Sequence, residues 1–186
     1  NLRVRPACDD KIITAWNALM ISALARAAFA WKIPAFKEAA CKAAAFIEGI
    51  MLSGDTLYRT WRRGSVRHTG YLDDYAFTAN AFIDLYESTA DAHWLETAKR
   101  LADLLKNRFA APRGGGFYST DASHSGLLVR VRSLHDTAEP SPNAQAALAL
   151  ARLGRHFSLP EVTALAEKSV AADSGMAARI PLACLH

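Results

Sequence analysis

Apolar residues recur at helical spacing in three stretches, and each stretch is followed after two to four residues by a second helical stretch of different character. The predicted pairs are Asp10–Trp31 with Pro34–Leu52, Leu72–Thr89 with His93–Phe109, and Ser141–Phe157 with Pro160–Ala172. Linkers this short make each pair an antiparallel αα-hairpin. Phe36, Trp94 and Pro160 mark equivalent places in the second helices, 58 and 66 residues apart, so the chain repeats with a period of about 60 residues. The first helix of each pair (WNALMISALARAAFA, YAFTANAFIDLY, NAQAALALARL) is apolar over much of its circumference and is expected to be buried on all sides. The second is amphipathic, with Glu96, Lys99, Arg100, Asp103 and Lys106 on one solvent stripe. One set of helices is thus inner and one outer. Higher burial is expected over Ala18–Ala28, Ala76–Leu85 and Ala144–Leu153.

The segments between pairs read differently. Thr56–Arg62 alternates, Gly64-Ser65 turns, and Val66–His68 follows, which predicts a short β-hairpin. Gly114-Gly115-Gly116, Phe117–Ser119 and Leu127–Arg132 predict a second one. The glycine run lacks the Gly-Lys-Ser/Thr ending of a phosphate loop. Met176–His186 reads as the opening of a fourth inner helix.

Composition agrees with an all-α fold. The chain of 186 residues holds 37 Ala and 21 Leu against 8 Ile and 6 Val, which favours helix and excludes an all-β core. Repeated αα-hairpins with an apolar inner set form a solenoid or a closed toroid. A closed ring of six hairpins would need about twice this length, and the chain, read as one domain, would then hold half of it. Its inner helices would leave an apolar flank for the remainder of the toroid or another chain to cover.

A net charge of +4 is spread among acids, and the densest basic stretch, Arg59 to His68, is too small for a nucleic-acid face. No run of 18 apolar residues predicts a membrane span. Cys8, Cys41 and Cys184 show no C-x-x-C spacing, so no disulfide framework or metal site is expected; each is read as a small packed side chain, and a cytoplasmic setting as the natural one. The chain opens Asn-Leu-Arg-Val-Arg-Pro, with neither a signal peptide nor an initiator Met, and is read as a piece of something longer.

Candidate chemistry gathers where the inner helices start. Asp10 and Lys11, with Trp16 and Asn17 one turn on, open the first; Asp73, Asp74 and Tyr75 open the second; Asp136, Glu139, Ser141 and Asn143 open the third. Acids and Ser or Asn at such positions cap helices and complement their dipoles. Doubled acids, and an amide inside a buried helix, exceed what capping needs. Parallel inner helices would bring these starts to one rim. The expected roles there are acid or base for Asp10, Asp73 and Asp74, with at least one carboxyl raised in pKa by its neighbours. Trp16 and Tyr75 would stack on a pyranose ring, Asn17, Ser141 and Asn143 would hold hydroxyls, and Lys11 would balance charge. His68 and His135 lie in loops near these starts and are weaker candidates. No metal-ligand spacing and no cofactor motif are present.

Four motifs carry a resemblance. Asp9-Asp10-Lys11-Ile12 with Trp16-Asn17 and Leu19-Met20-Ile21 comes first. Leu72-Asp73-Asp74-Tyr75-Ala76, Gly115-Gly116-Phe117-Tyr118 with Thr120, and Glu139-Pro140-Ser141-Pro142-Asn143 follow in order. In these the chain resembles the YyaL-type thioredoxin-domain-containing proteins, relatives of spermatogenesis-associated protein 20. The resemblance implies the first part of an (α/α)6 toroid related to six-hairpin glycosidases and N-acylglucosamine 2-epimerases, without the family's thioredoxin-like domain. It implies a sugar or aminosugar as ligand, handled by a hydrolase-like or epimerase-like cavity. The alternative is a non-catalytic module that accompanies a redox domain and binds a partner or serves as a scaffold.

Overall fold

In the computed structural model, described for residues 3–112, 115–124 and 127–171, the chain runs β1 (Ile12–Ile13), α1 (Thr14–Trp31), α2 (Pro34–Phe46), a π-helical turn (Ile47–Met51), β2 (Leu52–Ser53), β3 (Thr56–Arg62), β4 (Ser65–Thr69), α3 (Leu72–Thr89), α4 (Ala92–Phe109), α5 (Pro142–His156) and α6 (Pro160–Ala171). The three predicted hairpins are all present. Met176–His186, read as a fourth inner helix, lies outside the described residues.

Side-chain contacts fix the direction of the inner helices. Asp74 near the start of α3 accepts from the Ala15 N–H at the start of α1, and Asp84 further along α3 meets Ser22 further along α1. On the other flank, Asn80 donates to the Gln145 carbonyl at 2.8 Å and Arg152 pairs with Asp84 at 2.6 Å. Residue numbers rise together on all three helices, so α1, α3 and α5 run parallel, with α3 in the middle. Thirteen of the eighteen α3 residues are buried, against six of eighteen in α1. The inner/outer assignment is clearest there. For α1 the expectation of burial on all sides fails. The helix packs Thr14, Ala18, Ile21, Ala25 and Ala28 into the core, while Trp16, Met20, Phe29 and Trp31 stay exposed, because it has an inner neighbour on one side only. Cys8 is exposed rather than packed, and Cys41 is half-buried.

The first helix also starts four residues later than the sequence suggests. Ile12 and Ile13 pair with Trp61 and Thr60 of β3, and this extended pairing holds Asp10 and Lys11 outside the helix. β3 pairs with β4 as predicted, Tyr58 opposite Thr69 and Arg62 opposite Ser65. Gly70 then lets this small sheet reach α3. Its N–H donates to Leu57 O at 2.6 Å, and a Cβ there would stand 2.9 Å from the same oxygen and 3.2 Å from Asp74 Cβ. No residue larger than glycine fits so close an approach. The second predicted β-hairpin is not a ladder. One bridge joins Ala110 to Phe117, and one bond runs from Ser119 N to Val131 O. Arg130 and Arg132 turn inward instead, donating to Arg108 O and Gly115 O, and so bind the loop by side chains rather than strand pairing.

Candidate functional site

Between the start of α3 and the loop that leads into α5 lies a cleft of about 240 Å³. Tyr71, Asp73, Ser119, Ser133, His135 and Glu139 line it, with Pro140 and Pro142 closing one side. Asp73 comes from the first turn of α3 and Glu139 from just before α5. The parallel course of the inner helices is what brings them to one rim.

The α3 side is built around a buried charge cluster. Arg59 of β3 places Nη1 2.9 Å from Asp73 Oδ2 and 2.8 Å from Asp74 Oδ2. Asp74 has no exposed side-chain surface, and its two oxygens also accept from Tyr71 N at 3.0 Å and Ala15 N at 3.1 Å. Burial, then the charge of Asp73, push the Asp74 carboxyl up to about 7, against the opposing pull of Arg59 and the Tyr71 N–H. The raised carboxyl expected among the clustered acids is therefore Asp74. It sits beneath the rim; Asp73 faces the cleft. The Arg59 guanidinium also lies 4.8 Å above the Tyr71 ring, which fixes that ring at the cleft wall.

On the other side, the Trp16 indole N–H donates to Glu139 Oε1, joining α1 to a residue 123 positions away. Asp136 Oδ1 accepts from Ser141 N at 2.9 Å, and the Ser141 hydroxyl caps α5 at Ala144 N. Asn143 is buried. It accepts from Phe117 N at 2.7 Å and donates to Phe117 O and Ser133 O, each at 3.0 Å. A Cβ on Gly116, whose φ is 73°, would stand 3.1 Å from the Asn143 amide oxygen, so Gly115-Gly116 make a turn that delivers Phe117 to Asn143.

Several candidates lie elsewhere. Asp10 is half-exposed and paired with Arg62 and Arg63, which lower its pKa, and the β1–β3 pairing keeps it at the sheet edge rather than a helix start. Lys11 pairs with Asp9 at 3.1 Å on the surface. Trp16 is exposed, and the half-buried Asn17 donates to Ile13 O just ahead of its own helix, so neither is the buried side chain expected. Tyr75, in the first turn of α3, is buried. Its hydroxyl meets Leu57 N and Asp55 O, and its ring packs on Phe109 at 5.2 Å, leaving no face for a sugar. Ser141 and Asn143 spend their polar atoms on the fold. Arg59, Tyr71, Ser119 and Ser133 went unnoticed in the sequence. Arg59 alone left a signal, an arginine on an alternating strand fourteen residues before two unexplained aspartates. Among the described residues, no group of three or more His, Cys, Asp or Glu is arranged to hold a metal ion, and no helix is long and apolar enough to cross a membrane.

No protein-family model matches the chain. It is 35% identical over 162 residues to spermatogenesis-associated protein 20 of Mus musculus and equally to that of Homo sapiens. The match covers 81% of this chain and 20% of the mouse protein, so the chain spans about one fifth of the length of these curated relatives. Among solved structures it resembles cellobiose 2-epimerase from Spirochaeta thermophila, with TM-score 0.69 and 20% identity over 86% of this chain and 42% of that one. Unsaturated glucuronyl hydrolase from Bacillus sp. GL1 matches with TM-score 0.70 and 20% identity, over 91% of this chain and 48% of that one. An α-1,6-mannanase of Salegentibacter matches with TM-score 0.71 and 16% identity, over 87% of this chain and 46% of that one; it is a variant inactivated by replacing two consecutive aspartates with alanine, in complex with α-1,6-mannotetrose. The chain is a homologue of the spermatogenesis-associated protein 20 proteins, and its three hairpins have the architecture of the six-hairpin glycosidase-like α/α toroid.

Proposed function

We propose that the cleft between α3 and the α5 approach binds a sugar, and that its two carboxylates, Asp73 and Glu139, are the acid/base pair of a sugar-modifying site. The observation that carries this reading is that both line one cavity, together with the hydroxyl-bearing residues Tyr71, Ser119 and Ser133. Hydroxyls and carboxylates that converge in this way hydrogen-bond a polyol, and paired carboxylates supply a proton donor and a proton acceptor. Asp74 and Arg59 act one layer below, where the guanidinium orients the Asp73 carboxylate. Trp16 does the same for Glu139 through its indole N–H. The three solved relatives of this fold all act on sugars by name, and one loses activity when two consecutive aspartates are replaced. Of the two consecutive aspartate pairs of this chain, Asp9-Asp10 lies on the surface and Asp73-Asp74 is the one at the cleft.

The test is calorimetric titration with cellobiose, α-1,6-mannotetraose and an unsaturated glucuronyl disaccharide. At least one is expected to bind in the millimolar range or tighter. Asp73→Asn and Glu139→Gln should each weaken it at least tenfold, with the outer-helix variant Asp103→Asn unchanged. Binding that ignores both cleft substitutions, or no binding by any of the three, would refute the reading.

A further inference from the structure

The cleft is unbalanced in charge. Two carboxylates line it, Asp73 and Glu139, and among the described residues no lysine or arginine does. His135 is the one basic side chain of its lining. Asp73 has a counter-charge one layer below, since Arg59 Nη1 reaches both of its oxygens, at 3.1 and 2.9 Å. That guanidinium is shared with Asp74 at 2.8 Å and carries a single charge. Where Asp74 holds its proton, Arg59 and Asp73 balance; where it does not, the cluster is negative. In neither state has Arg59 any charge to spare for the rest of the cleft. Glu139 lacks such support. It is half-buried, and among the described residues its carboxylate meets only the neutral indole N–H of Trp16, at Oε1, and has no ion-pair partner. Leu72, Pro140 and Pro142 line the same cavity and displace water that would screen it. A carboxylate drawn partly out of water in this way is stabilised by any cation that joins it, and a cleft of one sign focuses its field on what enters.

We infer, on the sugar-binding reading of this cleft, that its ligand is an amino sugar whose amine is free and protonated, seated beside Glu139. Trp16 holds Oε1, which leaves Oε2 for the ammonium. The ligand then brings the counter-charge that the protein omits, and its hydroxyls remain for Tyr71, Ser119 and Ser133. A neutral sugar leaves Glu139 unbalanced. A uronic acid adds a further negative charge and is repelled, because like charges across an interface reject the wrong partner more strongly than matched ones reward the right one. An N-acylated amino sugar has lost its charge and gains nothing over a neutral sugar by this route.

Calorimetric titration of the whole chain at pH 6, where a sugar amine holds its proton, tests this. It compares cellobiose with the β-1,4-linked disaccharide of glucosamine, which is cellobiose with an ammonium in place of each 2-hydroxyl. The diamine is expected to bind at least tenfold tighter at low salt, and its advantage should shrink to about threefold or less in about 0.5 M sodium chloride. Its di-N-acetylated form should bind no tighter than cellobiose. Glu139→Gln should bring the ratio of the two affinities to about threefold or less, whatever it does to cellobiose alone, and Asp103→Asn on the outer helix should leave the ratio unchanged. If cellobiose binds and the diamine binds no tighter, the inference is overturned while the sugar-binding reading stands. The same holds if the acetylated form gains as much as the diamine, if the unsaturated glucuronyl disaccharide binds tighter than cellobiose, or if the preference for the diamine survives Glu139→Gln. If no saccharide binds, the sugar-binding reading fails and the inference with it.

Discussion

Arg59 Nη1 stands 2.8 Å from Asp74 Oδ2, and that carboxyl has no exposed surface. The same nitrogen lies 2.9 Å from Asp73 Oδ2. One guanidinium from the small sheet thus holds together two acids that would otherwise repel each other in the first turn of the most buried helix. The sheet is tied to the inner wall by this contact and by the close passage of Gly70.

Arg59→Ala should therefore cost stability out of proportion to its modest exposure. It leaves Asp73 and Asp74 facing each other without a counter-charge, and breaking one partner of a buried pair typically costs about 3–5 kcal/mol. Urea denaturation at neutral pH measures this. Arg59→Lys should restore only part of the loss, because an ammonium on a flexible stem forfeits the stacking on the Tyr71 ring that holds the planar guanidinium in place. A loss below about 1 kcal/mol would mean that the cluster is already neutralised by protonation.

The raised Asp74 carboxyl gives stability a pH dependence of definite sign. Its folded-state pKa of about 7 lies above the ordinary 3.8, so the folded chain binds more protons between those two values. Folding is favoured by this group most fully below about pH 4, and the contribution declines as pH rises towards 7. The slope from this one group reaches at most about 1.4 kcal/mol per pH unit. Denaturation curves across pH 4 to 8 should show it, and Asp74→Asn should flatten the slope in that window, whatever it does to the absolute level. An unchanged slope in the variant would assign the dependence to other groups.

Asn143 was expected to face a ligand, and its hydrogen bonds point to a structural role. Asn143→Leu strands the Phe117 N–H and two carbonyls in a buried place, at a cost of about 2–4 kcal/mol. Amide exchange is the sharper probe. The Phe117 N–H should lose protection by more than tenfold, while amides in the middle of α3 change only in step with global stability.

The hairpins were legible because each inner helix and each outer helix carries its own period, and nothing in the tertiary fold overrides twelve to eighteen residues of it. Boundaries were less so. Asp10 looked like the start of a helix because Ile12 and Ile13 fit a helical stripe as well as a strand, and only the distant partners Trp61 and Thr60 decide between them. Tyr75 and Asn143 were misjudged for one reason: a polar group near a helix start reads the same whether it meets a ligand or a carbonyl of another segment. Asp73 and Asp74 were legible as a pair, but which of them faces the cleft depends on Arg59, fourteen residues before them on a strand whose side-chain partners the alternation does not reveal.

The inner wall offers a last test, of why it is polar at its centre. Arg152 of α5 sits 2.6 Å from Asp84 and 2.8 Å from Glu87, and Asp84 is 5% exposed and also meets Ser22 of α1. These residues span all three inner helices. A buried ion pair of this kind seldom adds net stability over well-packed apolar residues, yet removing one partner leaves the other charged and stranded. Arg152→Met should thus destabilise by about 3–5 kcal/mol, and Asp84→Leu by a similar amount. The double variant should cost much less than the sum, with a coupling of about 1–3 kcal/mol read from the double-mutant cycle. If the pair also fixes the register of the three helices, the double variant will be stable but less uniquely packed, with broadened side-chain resonances and weakened near-ultraviolet dichroism. Stability regained together with sharp native spectra would show that the apolar contacts of α3 set the register unaided. Strict additivity of the two single losses would show that Arg152 and Asp84 act independently.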